Sequence, residues 1–351
     1  MSCLWNNTAY FKRRTSDKYY KESIEETLMA KVSIVVPIYN VYDYLDRNLE
    51  SLMNQTYKDI EVLCINDGST DRSQEIIDKY VNLDSRFKGY IKKNGGLSDA
   101  RNYGLKYVNS EYVMFIDSDD FVENTMVEEC VKTMDGNHLD MFVFAYNQYY
   151  TETDSKEFIS LGIKDGIYSL KKNKEILAKT PNAAWNKMYR TRLFKYNDIE
   201  YPFGYRHQDL GTTAKLMYLS DKIGYKDIAL YNYLIDRPNN ITRQIDNKIY
   251  HIIDMCKEIL DYYQDKGIYE DYYDELNYLV EGNLIQSLRK AMKLKDKKFV
   301  YKFIDDVFEF KKKYFKRKNS KYSVINDKSD KVYLNKNLCK LYYAYKNRGG
   351  E

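Results

Sequence analysis

The chain is expected to be an α/β protein, with a mostly parallel sheet flanked by helices and a helical C-terminal region. Three observations lead there. From Lys31 onward, short β-branched runs alternate with segments of helical spacing, the pattern of right-handed strand–helix–strand crossovers. The strand runs are apolar along their whole length rather than on alternate residues, as in a sheet covered on both faces. After about Asn247 the alternation gives way to Tyr- and Lys-rich amphipathic segments.

Val32-Ser33-Ile34-Val35-Val36-Pro37 is the first strand, and Tyr42, Leu45, Leu49 and Leu52 recur at helical spacing behind it. Ile60–Ile65 is the second strand and stops at Asn66-Asp67-Gly68-Ser69. A helix over Asp71–Val81 follows, with Ser69 or Thr70 as its N-cap and Ile76, Ile77 and Tyr80 facing inward. A short strand near Gly89–Lys92 leads to Asn94-Gly95-Gly96 and a helix marked by Leu97, Ala100, Arg101, Gly104, Leu105 and Val108. Tyr112–Ile116 is the next strand, Asn124–Met134 a helix and Met141–Ala145 a strand. The second half is less regular: strands at Trp185–Tyr189 and Ile228–Leu234, and helices over Arg192–Tyr196 and from Asp209 to Leu219. The expected domains are an N-terminal extension (1–30), a catalytic domain (31–245, halves 31–145 and 146–245) and a basic helical region (246–351).

Composition narrows the class. The 351 residues hold five scattered cysteines with no CxxC pair, which suits reduced thiols in a cytosolic protein. Lys12-Arg13-Arg14 is not followed by an apolar run, so no secretory signal is expected, and no stretch reaches the ~18 apolar residues of a membrane span. Residues 289–351 carry 20 Lys/Arg against 7 Asp/Glu, or +13; the rest, with 36 against 45, is −9. This basic tail, where Lys311-Lys312-Lys313 and Lys316-Arg317-Lys318 alternate with Phe308, Phe310, Tyr314 and Phe315, reads either as a solvated helix face or as a contact with an anionic membrane surface. A nucleic-acid partner is not expected.

The densest chemistry is Asp117-Ser118-Asp119-Asp120, directly after an apolar strand. Clustered carboxylates at a strand end repel one another and need compensation. A divalent cation with a bound phosphate provides it, since hard cations take one or two carboxylates and complete their shell with water and phosphate oxygens. An acidic turn capping the next helix is the plain alternative. In parallel sheets ligands bind beyond the carboxyl ends of the strands. Pro37-Ile38-Tyr39-Asn40, Asp67-Gly68-Ser69 and Asp117–Asp120 all belong to that edge.

These residues together resemble family 2 glycosyltransferases, inverting enzymes of the GT-A fold with a Rossmann-like sheet, as found among bacterial capsule and exopolysaccharide enzymes. The likeness spans about Val32 to Thr242 and is dense over Val32–Val122. It rests on VSIVVPIYN (32–40), INDGSTD (65–71), NGGLSDARNYGL (94–105) and FIDSDD (115–120), and more loosely on WNKMYRTRLF (185–194), QDL (208–210) and YNYLIDRPNNIT (231–242). The resemblance implies that Pro37, Tyr39 and Asn40 lie near base and ribose. It implies that Asp67 binds the base, that Arg101 lies near the sugar or diphosphate and Asp117 near the ribose, and Gly96 and Ser118 are counted with them as nucleotide-binding. Asp119 would bind Mn²⁺ or Mg²⁺. Where the family has a Glu-Asp pair this chain has Gln208-Asp209, so the catalytic base falls on Asp209. The implied donor is a nucleotide sugar, UDP favoured. The implied acceptor is a glycan or polyprenyl-diphosphate-linked oligosaccharide of a surface polysaccharide, on the cytoplasmic side of the membrane.

Several residues keep two readings. His207 is either a further metal ligand or a neighbouring surface group. Asp209 is either the base or only a helix cap. Arg101 either binds phosphate or pairs with Asp99 or Asp67. Trp185 is either core or a sugar platform. The competing function is a non-catalytic nucleotide- or glycan-binding protein on the same fold. A nicotinamide site is disfavoured: no G-x-G-x-x-G follows the first strand, and Pro37 stands where that turn would begin.

Overall fold

The structure, a computed structural model, describes residues 30–237, 246–317, 321–322 and 328–347. The expected N-terminal extension falls almost wholly outside the described residues, as does the end of the 231–242 segment. The strands are β1 (Val32–Ile38), β2 (Ile60–Asn66), β3 (Phe87–Ile91), β4 (Tyr112–Phe115), β5 (Phe121–Val122), β6 (Met141–Tyr150), β7 (Ser155–Ile159), β8 (Gly166–Tyr168), β9 (Lys187–Arg190) and β10 (Ile223–Leu234). Among the described residues they form one sheet in the order β3-β2-β1-β4-β9-β6-β10-β5, with β7 on β6 and β8 on β10.

The first four strands are all parallel, with Ile38 opposite Asn66 and Val35 opposite Phe115. Their carboxyl ends therefore share one edge, as the strand–helix alternation requires. Beyond β4 the sheet is mixed: β9 runs antiparallel to both β4 and β6, and β10 is parallel to β6 but antiparallel to β5. β5, β7 and β8 are short or exposed, with little apolar pattern, and none of them was legible from the sequence.

Each strand of the parallel half feeds two cores. Val32, Ile34, Val36 and Ile38 face one side, packed by Leu45, Leu49 and Leu52 of α1 (Tyr42–Met53), Ile77 and Tyr80 of α2 (Ser73–Leu83) and Met126, Cys130 and Met134 of α4 (Met126–Asn137). Each fully buried leucine of α1 contributes roughly 1.5–3 kcal/mol. Val35, Leu63, Val113 and Phe115 face the other side, with Ala100 and Leu105 of α3 (Leu97–Leu105). α5 (Glu175–Lys179), α6 (Arg192–Lys195) and α7 (Gln208–Leu219) adjoin this second core. So do α8 (His251–Asp265), α9 (Tyr273–Ala291), α10 (Lys297–Tyr314) and α11 (Lys336–Lys346), and one apolar cluster runs from Val35 to Tyr343.

Three local expectations need correction. α2 begins at Ser73, not Asp71, and neither Ser69 nor Thr70 caps it. Both are drawn to the end of β1 instead: Ser69 Oγ accepts from the Asn40 N–H, and the Thr70 N–H donates to Asn40 Oδ1. β9 starts at Lys187; Trp185 lies before the strand and stacks on Tyr231 and Tyr233, at ring-centroid distances of 4.4 and 5.4 Å. Trp185 is buried, which favours its core reading. The aromatic residues of the basic tail also turn inward: Phe310 and Tyr314 are buried, and Phe308 and Phe315 pack on the core, leaving Lys312, Lys313 and Lys316 exposed.

Candidate active site

At the end of β1, Pro37 is buried, Tyr39 is exposed, and Asn40 adopts a left-handed backbone (φ 49°) that asparagine tolerates. Asn40 Oδ1 accepts from the N–H groups of Thr70 and Asp71, at 2.8 and 3.3 Å, which ties the β1 turn to the one after β2.

Asp67 closes β2. Its Oδ1 receives Lys92 Nζ at 2.5 Å and the Gly95 N–H at 2.9 Å, and its Oδ2 receives the Gly96 N–H at 2.7 Å. Lys92 also pairs with Asp99. Gly96 sits at φ 89°, a conformation that costs glycine nothing, and so directs its N–H at Asp67 while starting α3. In the structure Asp67 thus shapes the 92–96 loop; a carboxylate oxygen still has lone pairs for a further donor.

Gly104 lets α3 lie against the sheet, since a Cβ there would collide with Val35. This close approach brings Arg101, one turn earlier, under the carboxyl edge with no exposed surface. Its Nη2 donates to Asp117 Oδ1 at 2.7 Å and its Nη1 to Asp209 Oδ1, while the guanidinium faces the Tyr201 ring at 5.1 Å. Burial works to lower the Arg101 pKa, but the charges of Asp209 and Asp117 outweigh it and raise it. Arg101 therefore pairs with neither Asp99 nor Asp67. It joins the acidic strand end to the start of α7, 108 residues on.

The acidic turn divides its labour. Asp117 is pushed up to about 6, mainly by burial and by the charges of Asp119 and Asp209, with Arg101 acting the other way. Ser118 is buried. Asp120 is fully buried and accepts from Tyr231 Oη at 2.6 Å and from the Leu234 N–H at 2.7 Å; burial, then its acidic neighbours, holds it well above the usual carboxylate range. Asn48 clasps the turn from α1, donating to the carbonyls of Asp117 and Asp120. Asp119 remains partly open, paired with Arg237 at 2.6 Å.

Asp209 lies in the first turn of α7 and also accepts from the Ala184 N–H at 3.3 Å and Gln208 Nε2 at 3.1 Å. His207, the residue before α7, has φ 61° and a pKa pushed down to about 4, first by burial and then by Lys290, with Asp209 opposing. Neutral at pH 7, it retains a lone pair. Among the described residues no group of three or more His, Cys, Asp or Glu is placed to hold a metal ion. Asp119 is the carboxylate of this turn left partly open, and a single carboxylate of that kind is compatible with a hard cation that takes its other ligands from phosphate and water.

The model for glycosyl transferase family 2 matches residues 33–198. The glycosyltransferase GlyG of Streptococcus pneumoniae serotype 4 is 30% identical over 214 residues, covering 58% of this chain and 70% of GlyG. The chain belongs to glycosyl transferase family 2. A second relative in this family's company, the glycosyltransferase GlyA of the same organism, is 33% identical over 241 residues, 65% of this chain; the chain spans about a third (34%) of GlyA's length. The crystal structure of S. aureus TarS 1–349 in complex with UDP-GlcNAc superposes with a TM-score of 0.64 at 21% identity, covering 92% of each chain, a likeness of fold. The sheet and its flanking helices are thus those of a GT-A glycosyltransferase.

In this family 2 domain the structure brings Arg101 into direct contact with both Asp117 and Asp209, and Asp119 lies close enough to Asp117 to act on its charge. Four contributors escaped sequence reasoning. Arg237 and Tyr231 lie in the 231–242 segment, and Asn48 was a lone polar residue on an apolar helix face. Lys92 closes the Asp67 loop. Only the segment of Arg237 and Tyr231 carried a signal, through its resemblance to the family.

Proposed function

We propose that this chain is a metal-dependent, inverting glycosyltransferase that moves a sugar from a UDP-sugar to a glycan or lipid-linked oligosaccharide in bacterial surface polysaccharide synthesis, working at the cytoplasmic face of the membrane. The observation that carries the reading is the buried Arg101, which bonds Asp117 on the donor side and Asp209 on the acceptor side at once. One guanidinium thereby sets the distance between the nucleotide-facing edge and the base.

The bond from the anomeric carbon to the diphosphate oxygen breaks, and its electron pair leaves with the nucleoside diphosphate. The acceptor oxygen forms the new bond from the opposite face, and its proton passes to Asp209. The anomeric carbon is oxocarbenium-like in between. Asp119 would hold Mn²⁺ or Mg²⁺, which supplies Lewis-acid stabilisation to the departing phosphate when bound. Asp67 and Asn40 hold the turns on which base and ribose would rest. No helix of the described residues is long and apolar enough to cross a membrane.

The test is a thermal-shift panel of UDP, GDP and CMP with and without Mn²⁺, on wild type and Asp119→Ala. At ~100 times its dissociation constant a ligand adds about 2.7 kcal/mol of stability, a readily visible shift. A Mn²⁺-dependent shift with UDP that disappears in the variant is the expected result. Failure of every nucleotide to stabilise the protein would favour a glycan-binding role without catalysis.

A further inference from the structure

Lys187 opens β9 with no solvent exposure, and its Nζ donates to three neutral oxygens: the carbonyls of Pro181 (2.7 Å) and Ala183 (2.5 Å) and Asn186 Oδ1 (2.7 Å). The Asn186 amide is itself oriented, donating through Nδ2 to the Phe144 carbonyl at 2.9 Å. Among the described residues Lys187 forms no salt bridge. The charge that acts on it is Asp209, which partly offsets the lowering of its pKa, to about 7, by burial. A buried lysine with no carboxylate partner is costly to a fold and calls for a reason.

The reason lies in the backbone it grips. Thr213 Oγ1 of α7 takes the Asn182 carbonyl at 2.7 Å, between the two that Lys187 takes. Three successive carbonyls, 181 to 183, are thus held by side-chain donors. The next polar group, the Ala184 N–H, points at Asp209 Oδ2. The other oxygen of Asp209 is held by Arg101 and Gln208. The carboxylate is fixed from two sides, one by Arg101 and one by a peptide that Lys187 and Thr213 set in place.

We propose that Lys187 is a positioning residue for the base: by gathering the Pro181 and Ala183 carbonyls it aims the Ala184 N–H, which orients Asp209 toward the acceptor. This rests on Asp209 being the base. Three donors are required of Nζ, and an ammonium has three; glutamine can supply two and methionine none.

The experiment uses full-length Lys187→Met and Lys187→Gln, with Asp209→Asn as the control for the base. Amide hydrogen exchange over 181–185, UDP affinity with Mn²⁺ by calorimetry, and UDP release from UDP-GlcNAc are measured on each. In Lys187→Met, exchange at Ala184 is expected to rise about tenfold, as for loss of one to two hydrogen bonds. Turnover should fall on the order of 10²-fold, as for misplacement of a reacting group. UDP affinity should stay within about threefold, and Lys187→Gln should fall between. Unchanged exchange at Ala184, or UDP affinity falling in step with turnover, would overturn the proposal. Should Lys187→Met not fold, Thr213→Val, which frees the Asn182 carbonyl, must loosen the same segment; if it does not, the clamp is refuted. Turnover of Asp209→Asn equal to wild type would instead sink the base assignment, while the exchange data still decide on the clamp.

Discussion

Arg237 donates from Nη1 to Oδ2 of Asp119 at 2.6 Å and lies over the ring of Tyr44, 5.3 Å from its centroid. The carboxylate best suited to a cation is therefore already paired with a cation of the protein. A metal held by Asp119, as proposed above, would compete with the guanidinium for the same oxygen, and ion pairs of this partly exposed kind are worth up to about 1 kcal/mol. Arg237→Gln is expected to bind Mn²⁺ alone about three- to fivefold more tightly than wild type. Titration of the free Mn²⁺ signal by electron paramagnetic resonance measures this without donor or acceptor. Equal affinities would mean that Arg237 does not oppose the metal.

Arg101 and Asp209 are bonded to one another, yet their substitution should fail in different ways. Arg101→Met leaves two carboxylates without their buried cation, and breaking such a pair costs about 3–5 kcal/mol. Asp209→Asn leaves Arg101 its pair with Asp117 and an amide oxygen in place of the second carboxylate, and removes the proton acceptor proposed above, for which general-base losses of about 10²–10⁴-fold are typical. Urea unfolding should thus separate the two variants by several kcal/mol, while UDP release is low in both. Similar unfolding midpoints would deny Arg101 its place as the link between sheet edge and α7.

His207 gives the fold an acid sensitivity with a defined sign. Its pKa is pushed down from 6.5 to about 4. The unfolded chain therefore binds the proton more readily, and the stability it contributes is complete above pH 6.5 and is lost as pH falls toward 4. Asparagine accepts the left-handed backbone there. Between pH 7 and pH 5 wild type is expected to lose about 2 kcal/mol more than His207→Asn. Urea titrations at the two pH values give the difference directly; parallel losses would show that His207 takes up its proton as easily folded as unfolded.

The parallel half of the fold was legible because physics leaves few choices there. Val32–Val36 and Tyr112–Ile116 are apolar throughout, so they must be covered on both faces, and their polar ends must share an edge. Asp117, Asp119 and Arg101 were therefore placed correctly at the level of the strand end and the adjoining helix. What the sequence did not carry is long-range pairing. That Arg101 reaches Asp209 depends on how α7 docks, 108 residues away. That Asp120, chemically identical to Asp119, is buried on Tyr231 and Leu234 depends on the register of β10. The start of α2 was misplaced for a similar reason: Ser69 and Thr70 have good capping side chains, but Asn40 competes for them across the sheet edge.

The basic C-terminal region exposes its apolar side chains at different residues from those its sequence suggests. The aromatics between the lysines belong to the core, with Val300, Phe303 and Val307. The exposed apolar surface is on α11 instead, where Leu338, Leu341 and Tyr345 are 50%, 65% and 73% exposed at i, i+3 and i+7. Removing the region would open the core that Val35 and Leu63 share with it, so association must be tested by substitution. Each basic residue near an anionic surface contributes about 1 kcal/mol. Lys312→Glu/Lys313→Glu/Lys316→Glu is expected to weaken sedimentation with phosphatidylglycerol vesicles at least ~30-fold, and Leu341→Glu/Tyr345→Glu to weaken it independently. Thermal unfolding should be little altered in both, since all five side chains are exposed. Binding that survives both sets would place any membrane contact elsewhere. Binding lost only with the lysines would reduce it to electrostatic attraction, leaving the α11 face to another partner.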